Sequence, residues 1–530
     1  MPRGYWCPVL HAHLPYVRHP EYPHFLEEDW FFEALTETYV PLLRVLDGLL
    51  RDGVGYRLTM TLSPPLVSMM TDALLIERYE RHLDGLVELA AREVERTGRH
   101  EPHLQDLARF YRADFEQTRR YFRDACGSRI LRAFLRHRDT GRLEILTCAA
   151  THGFLPLMDP VPEAVRAQIQ VAAAHHLEHF GRAALGIWLP ECGYYPGHEV
   201  FLKEASVRFS FLEAHGLTDA HPRPSFGVHA PIVSPGGIVF FGRDVESSRQ
   251  VWSAESGYPG DFDYREFYKD IGWELPVSYL KDFLPDAQRK NLGIKYHRVT
   301  GRGTGLGQKE PYVREWAIEK AARHAGDFMW NRERQVEHLA GHMNRPPIVV
   351  SPYDAELFGH WWYEGPRFLD FLFRKLHFDQ DVVKPVTPSE YLGIFGDIEV
   401  CQPPMSAWGA EGYAGVWLNQ SNDWIYPHLD VAAERMVELA RRHGAPSPLE
   451  RRALDQAARE LLLAQSSDWA FIMKTGTMVE YAKKRTRDHI ARFDYLYRGL
   501  SGRGVVEEPA LREFEERDNI FPSLDYRVYR

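Results

Sequence analysis

Short apolar runs recur from Tyr5 to Val350, and most lead directly into polar or ring-bearing side chains. Tyr5–Leu10 runs into His11-Ala12-His13, and Tyr56–Leu62 into Ser63-Pro64-Pro65. Leu143–Thr147 precedes Ala150-Thr151-His152-Gly153, and Ala184–Trp188 precedes Leu189-Pro190-Glu191-Cys192. Phe209–Phe211 is a shorter run; Ile238–Phe241 ends in Gly242-Arg243-Asp244, and Pro347–Val350 in Ser351-Pro352-Tyr353-Asp354. Helix-periodic stretches at about Trp30–Arg51, Pro162–Phe180 and Tyr312–Asn331 separate several of them. Apolar strands alternating with helices predict a parallel α/β sheet. Polar clusters after strands far apart in sequence favour a closed barrel, in which all strand C-termini converge on one face.

From about 66 to 138 the chain is charged and helix-periodic, as in LLIERYERHLDGLVELAAREVE, and reads as a helical insertion in a barrel domain spanning 1–405. Beyond that, periodicity at Leu429–Arg442, Pro448–Leu463 and Thr477–Leu500 predicts a helical C-terminal domain, 406–530, with an irregular tail around Asn519–Pro522. The 530 residues are 44% hydrophobic and 26% charged, which suits a globular chain with a large core. A net charge of -10 argues against nucleic acid as a partner and suits a neutral substrate. Five scattered cysteines without a CxxC pair fit a reducing compartment. The opening MPRGYWCPVLHAHLPYV has no long apolar signal core, and no run is long enough to span a membrane. The expectation is a cytoplasmic protein with no membrane partner.

The chemistry-bearing candidates stand at the strand ends. Glu191 follows an apolar strand and a proline, flanked by Trp188 and Tyr194-Tyr195. Asp354 holds the matching place later, with Glu356 as a rival, in a stretch that continues to His360-Trp361-Trp362. Either acid could instead cap a turn or helix. Two carboxylates about 5 Å apart, one of them kept protonated by partial burial, are what retaining glycosidic cleavage needs. His11, His13, His152 and His360, with Asp354, allow a second reading as a zinc site of a metal-dependent barrel hydrolase such as a deacetylase. Trp408 and Trp417 sit in a Gly-rich loop and read as stacking platforms for a sugar chain, with Trp273 a further aromatic candidate. Ser467-Asp468-Trp469 either caps a helix or completes a cleft from the helical side.

The stretches His11-Ala-His-Leu-Pro-Tyr16, Ala150-Thr-His-Gly153, Trp188-Leu-Pro-Glu191, Ser351-Pro-Tyr-Asp-Ala-Glu-Leu-Phe-Gly-His-Trp-Trp362 and Ser467-Asp-Trp469 together resemble glycoside hydrolase family 57, and within it the 1,4-α-glucan branching enzymes. They occur in the family's order across nearly the whole chain. The resemblance implies a (β/α)7 barrel with a helical insertion and a helical C-terminal domain. It also implies a retaining transfer of α-1,4-glucan to a 6-hydroxyl, in glycogen biosynthesis, without metal or organic cofactor. It assigns the nucleophile to Glu191 and the acid/base to Asp354. It makes His11, His13 and His152 donor-site residues, and places His360, Trp273, Trp408, Trp417 and Asp468 around the glucan. The implied partner is amylose or glycogen, and the implied state a monomer or homodimer. Related α-glucan hydrolases and 4-α-glucanotransferases are the alternatives. Branching relatives carry a tyrosine-tipped loop over the cleft; the corresponding region here, about Val228 to Trp252 with Ser234-Pro-Gly-Gly237, contains no tyrosine.

Overall fold

The computed structural model describes residues 2–253 and 257–530. Its strands are β1 (Gly4–Ala12), β2 (Leu58–Leu62), β3 (Leu143–Cys148), β4 (Ile187–Trp188), β5 (Phe209–Leu212), β6 (Ile232–Val233), β7 (Val239–Gly242), β8 (Ile348–Asp354), β9 (Val383–Pro385) and β10 (Glu399–Val400). β1 is buried along its whole length, as a parallel strand covered on both faces must be, which is why its sequence is a continuous apolar run.

Parallel pairing runs β4-β3-β2-β1-β8. On the far side β5 pairs with β7, also in parallel. Two joints close the ring. Gly186 bridges to Phe209 between β4 and β5. The Asp244 amide, just after β7, donates to the Val350 carbonyl of β8 at 2.8 Å. Seven parallel strands therefore form a barrel, as expected. A Cβ on Gly186 would lie 2.3 Å from the Phe209 ring, so only glycine lets β4 and β5 meet there. β4 itself spans only Ile187–Trp188, shorter than the run Ala184–Trp188 suggests.

Register sets the barrel mouth. β1 faces β2 with His11 opposite Thr61, and β8 with His11 opposite Asp354. The ladder thus continues through the polar residues at the strand ends, beyond the apolar runs legible in the sequence. After β1, helix Asp29–Ala34 passes through a π-turn, Leu35–Tyr39, into helix Val40–Arg51. The Tyr39 hydroxyl donates to Glu356 from that π-turn, a helix irregularity often found at functional positions.

Residues 66–138 form the expected helices, chiefly Ala73–His100, Gln105–Arg120 and Leu131–Asp139. The C-terminal region carries Tyr426–Arg442, Pro448–Ala464, Ser467–Thr475, Val479–Leu500 and an additional helix, Glu508–Arg517. Its tail lacks regular structure but is not loose: Ile520 and Phe521 are buried, and Arg459 donates to both their carbonyls, at 2.5 and 3.1 Å. The region from Val228 to Trp252, which the resemblance aligns with a loop over the cleft, holds β6, β7 and helix Val245–Trp252. The continuous apolar run Ile238–Phe241 supplies β7 of the barrel wall, as expected. Among the described residues no helix is long and apolar enough to cross a membrane.

The turn after β8 is tightly seated. Gly359 has φ +123°, and a Cβ there would lie 1.8 Å from the Glu37 carbonyl oxygen. Gly359→Ala should lower the thermal midpoint clearly, by the equivalent of about 3 kcal/mol, since neither the dihedral nor the space admits a side chain. A midpoint equal to the parent's in a thermal melt would contradict this packing.

Candidate active site

Glu191 sits in a left-handed conformation, φ 63° and ψ 22°, in the turn Pro190–Cys192 after β4. A non-glycine residue there costs about 1–3 kcal/mol and persists only when its surroundings hold it. Here a strand-like segment holds it. Tyr194 and Ser406 exchange backbone hydrogen bonds, and the Trp408 amide donates to the Glu191 carbonyl at 2.9 Å. The same tryptophan donates its indole N–H to Glu191 Oε2 at 2.7 Å. Ser467 Oγ lies 3.4 Å from Oε1, and His152 Nδ1 3.9 Å from it.

His152 is also left-handed, φ 59°. Its Nδ1 meets Ser467 Oγ at 2.8 Å and its Nε2 meets His11 Nε2 at 3.0 Å, while His11 Nδ1 meets Thr61 Oγ1 at 3.0 Å. Burial holds both imidazoles well below their usual range, and the neighbouring histidines add to this, so both rings are neutral. When Glu191 is ionised, Ser467 donates to it, and the chain Thr61–His11–His152–Ser467 is polarised toward the carboxylate. His13 stacks on His152 at 3.7 Å and 8°. Its Nδ1 meets Ser63 Oγ at 2.8 Å, and its Nε2 lies 3.0 Å from Asp468 Oδ2. Burial raises the Asp468 carboxyl, but His13 and the Ser466 hydroxyl overcome that and bring it down to about 2. Asp468 is therefore a fixed anion.

Asp354 ends β8 beside His11. Burial, then the charge of Glu356, push its carboxyl up to about 7, against the pull of His13 and Arg243. Glu191 is also raised to about 7, by burial first; the Trp408 hydrogen bond opposes this, and the charge of Asp354 adds to it. The acids of β4 and β8 thus feel each other across the barrel mouth. Glu356 is raised to about 7 by burial, moderated by hydrogen bonds from Tyr39 and the His13 backbone amide. The hydrogen bonds decide which of the pair keeps its proton. Glu191 accepts from an indole and a hydroxyl, whereas among the described residues none reaches the Asp354 carboxyl. These donors favour the anion on Glu191, and Asp354 is the member of the pair whose charge no hydrogen bond from the described residues stabilises.

A match to the model of "Glycosyl hydrolase family 57" covers residues 9–335. The chain belongs to that family. A second match, "1,4-alpha-glucan branching enzyme, C-terminal", covers residues 428–529. A 1,4-alpha-glucan branching enzyme of Thermococcus kodakarensis is 33% identical over 98% of this chain and 77% of its own length. Among solved structures, the α-amylase AmyC of Thermotoga maritima is 46% identical with a TM-score of 0.93, covering 100% of this chain and 99% of that one. The family 57 branching enzyme of Pyrococcus horikoshii is 34% identical with a TM-score of 0.88, covering 99% and 97%.

In this family 57 chain the structure gathers Glu191, Asp354, His11, His13, His152, Trp408 and Asp468 into one site. It does not gather the rest. Trp417 is 1% exposed and stacks on Phe154 at 4.5 Å, so it is core and not an open platform. The Gly-rich loop misled because Gly409 gives room for that ring to tuck beneath it: a Cβ there would lie 2.5 Å from Trp417. Trp273 is about half exposed and donates to Asn291 at 2.9 Å; no contact ties it to either acid. His360 turns to Glu37, 2.7 Å away. Ser467, Thr61, Ser63 and Arg243 join the site without having been singled out individually; alternation along β2 and the motif around Asp468 were the signals available. The ligand atoms of His13, His152 and Asp468, and those of His11, Cys148 and His152, lie close enough to hold an ion. Yet every imidazole nitrogen of these three histidines already has a hydrogen-bond partner in the site.

Two outcomes follow. The profile of kcat/KM against pH should be bell-shaped: the acid limb marks protonation of Glu191, the alkaline limb loss of the Asp354 proton, and both belong to the coupled pair. Trp408→Phe should lower kcat/KM about ten- to a hundredfold and move the acid limb upward, because it removes a donor to a charged group. An unmoved acid limb would deny Trp408 that role. Asp354, raised on folding, binds its proton more tightly folded than unfolded, so it costs stability as pH rises from about 4 through about 7. Asp354→Asn should therefore melt higher than the parent at pH 8, with the gain fading toward pH 4. A melt showing no gain at pH 8 would mean that the acid is not held against ionisation.

Proposed function

We propose that the chain is a 1,4-α-glucan branching enzyme acting by retaining double displacement, with Glu191 as nucleophile and Asp354 as acid/base. The observation that carries this is the pair of acids at the ends of β4 and β8 on one barrel mouth, of which, among the described residues, only Glu191 is held by hydrogen bonds, from Trp408 and Ser467. Asp354 gives its proton to the glycosidic oxygen as Glu191 attacks the anomeric carbon. The C–O bond to the leaving chain breaks and an ester to Glu191 forms. Asp354, now ionised, takes the proton from the 6-hydroxyl of a second glucan, whose oxygen displaces Glu191 and restores it. His11, His13, His152 and Asp468 surround the donor glucosyl unit with hydrogen-bonding groups held in place by one another.

In this reading residues 1–405 are the catalytic barrel with a helical insertion at 66–138, and residues 406–530 complete the cleft with Trp408, Ser467 and Asp468. The work belongs to glycogen synthesis in the cytoplasm. Hydrolysis of α-glucan is the second reading. It is favoured by the 46% identity to a protein described as an α-amylase and by the barrel-wall role of Val239–Gly242, where a tyrosine-tipped loop was sought.

Incubation with pure amylose, followed by iodine staining, reducing-sugar assay and chain-length analysis after debranching, separates the two. New α-1,6-linked chains with little reducing sugar are expected. Steady release of reducing ends without branches would establish the hydrolase. Glu191→Gln should lose at least about a thousandfold in either activity, as removal of an essential nucleophile does.

A further inference from the structure

Helix Asp29–Ala34 and the π-turn after it carry three acids at four-residue spacing: Asp29, Glu33 and Glu37. The outer two are matched. Asp29 meets Lys290 Nζ at 2.7 Å. Glu37 meets His360 Nδ1 at 2.7 Å and Arg265 at 3.8 Å. Glu33 stands between them and accepts no hydrogen bond from the described residues; His360 Nδ1 lies 3.9 Å away. Burial, then repulsion by Glu37, raise its carboxyl above the usual range. A carboxyl group with no hydrogen-bond partner among the described residues is free to bond a sugar hydroxyl in either protonation state.

Beside it lies an aromatic platform. Trp361 is 53% exposed and stacks on Phe267 at 4.4 Å and 28°. His360 stands edge-on to both rings, at 5.2 and 5.1 Å, and Lys295 Nζ lies 4.2 Å from the Phe267 centroid. The Trp361 indole N–H has no hydrogen-bond partner among the described residues. A rigid, half-open ring face edged with polar groups is what the C–H face of a glucosyl unit stacks on.

Its place in the chain indicates which sugar. Trp361 follows Asp354 in the same turn, and its amide donates to the Glu356 carbonyl at 3.1 Å. The platform therefore flanks the acid/base, whereas Trp408, Ser467 and His152 flank the nucleophile. In retaining transfer the acid/base touches the leaving oxygen and then the incoming hydroxyl, so leaving chain and acceptor both lie on its side. We propose that Glu33, His360 and the Phe267–Trp361 pair form a subsite for the acceptor α-glucan, with a glucosyl ring on Trp361 and its hydroxyls on Glu33. The assignment rests on the two-carboxylate reading of Glu191 and Asp354.

Two measurements test it. In the full-length Glu191→Gln protein, maltoheptaose binding is followed by calorimetry with and without Trp361→Ala or Glu33→Ala. Either change is expected to weaken binding about tenfold, the order of one lost stacking or polar contact. In the otherwise unaltered enzyme acting on amylose, Trp361→Ala is expected to raise the ratio of reducing ends to branches about tenfold, and Trp361→Phe, which keeps a ring face, to restore most of it. Unchanged affinity together with an unchanged ratio, in variants whose circular dichroism matches the parent's, would overturn the subsite. Should the parent itself form no branches, the branching reading fails separately. The binding measurement then decides alone, and weaker binding supports the same platform as a subsite for the leaving chain.

Discussion

Three partly enclosed carboxyl groups share the mouth of this barrel, and their neighbours divide hydrogen bonds unequally among them. An ionised carboxylate taken from water without compensation is among the least favourable events in folding. Glu191, Asp354 and Glu356 are each driven up to about 7 by their burial. The compensation is unequal by design of the chain. Glu191 receives an indole N–H and a hydroxyl, Glu356 a phenol and a backbone amide, and Asp354 nothing from the described side chains. That inequality is what the proposed division of labour rests on, with Glu191 as the attacking acid and Asp354 as the proton donor.

Asp468 plays the opposite part. It is as enclosed as the others, yet His13 and Ser466 keep it ionised. A permanent anion beside His13 fixes that ring, and His13 in turn lies flat on His152. The side of Glu191 thus carries a fixed anion and stacked imidazoles, while beyond Asp354 the chain presents the half-open ring of Trp361. The barrel itself does not choose between water and a second glucan, because a relative described as an amylase and relatives described as branching enzymes share it closely.

Much of this was legible in the residues. Apolar runs ending in polar groups gave the barrel strands and, through them, the placement of Glu191, Asp354 and His11 on one face. The helical character of 66–138 and of the C-terminal region followed from periodicity alone. What escaped was decided by packing across the chain. Trp417 could not be told from a surface ring without seeing Phe154 beneath it, and the close approach of Gly186 to the Phe209 ring joins segments that the sequence keeps apart. The strand at Ile238–Phe241 was legible as an apolar run, whereas the covering loop that the resemblance aligns with about Val228 to Trp252 has its place taken here by β6, β7 and a helix. The roles of Ser467 and Trp408 were hidden for a different reason: a hydrogen bond across more than two hundred residues leaves no local trace.

The left-handed backbone of Glu191 has an evolutionary corollary. Its strain is held by Trp408 and Ser406, and its charge by Trp408 and Ser467, none of which belongs to the strands of the barrel. Selection on the proposed nucleophile therefore acts on the barrel and the helical region together, since the barrel strands by themselves do not supply the groups that hold Glu191 in this conformation.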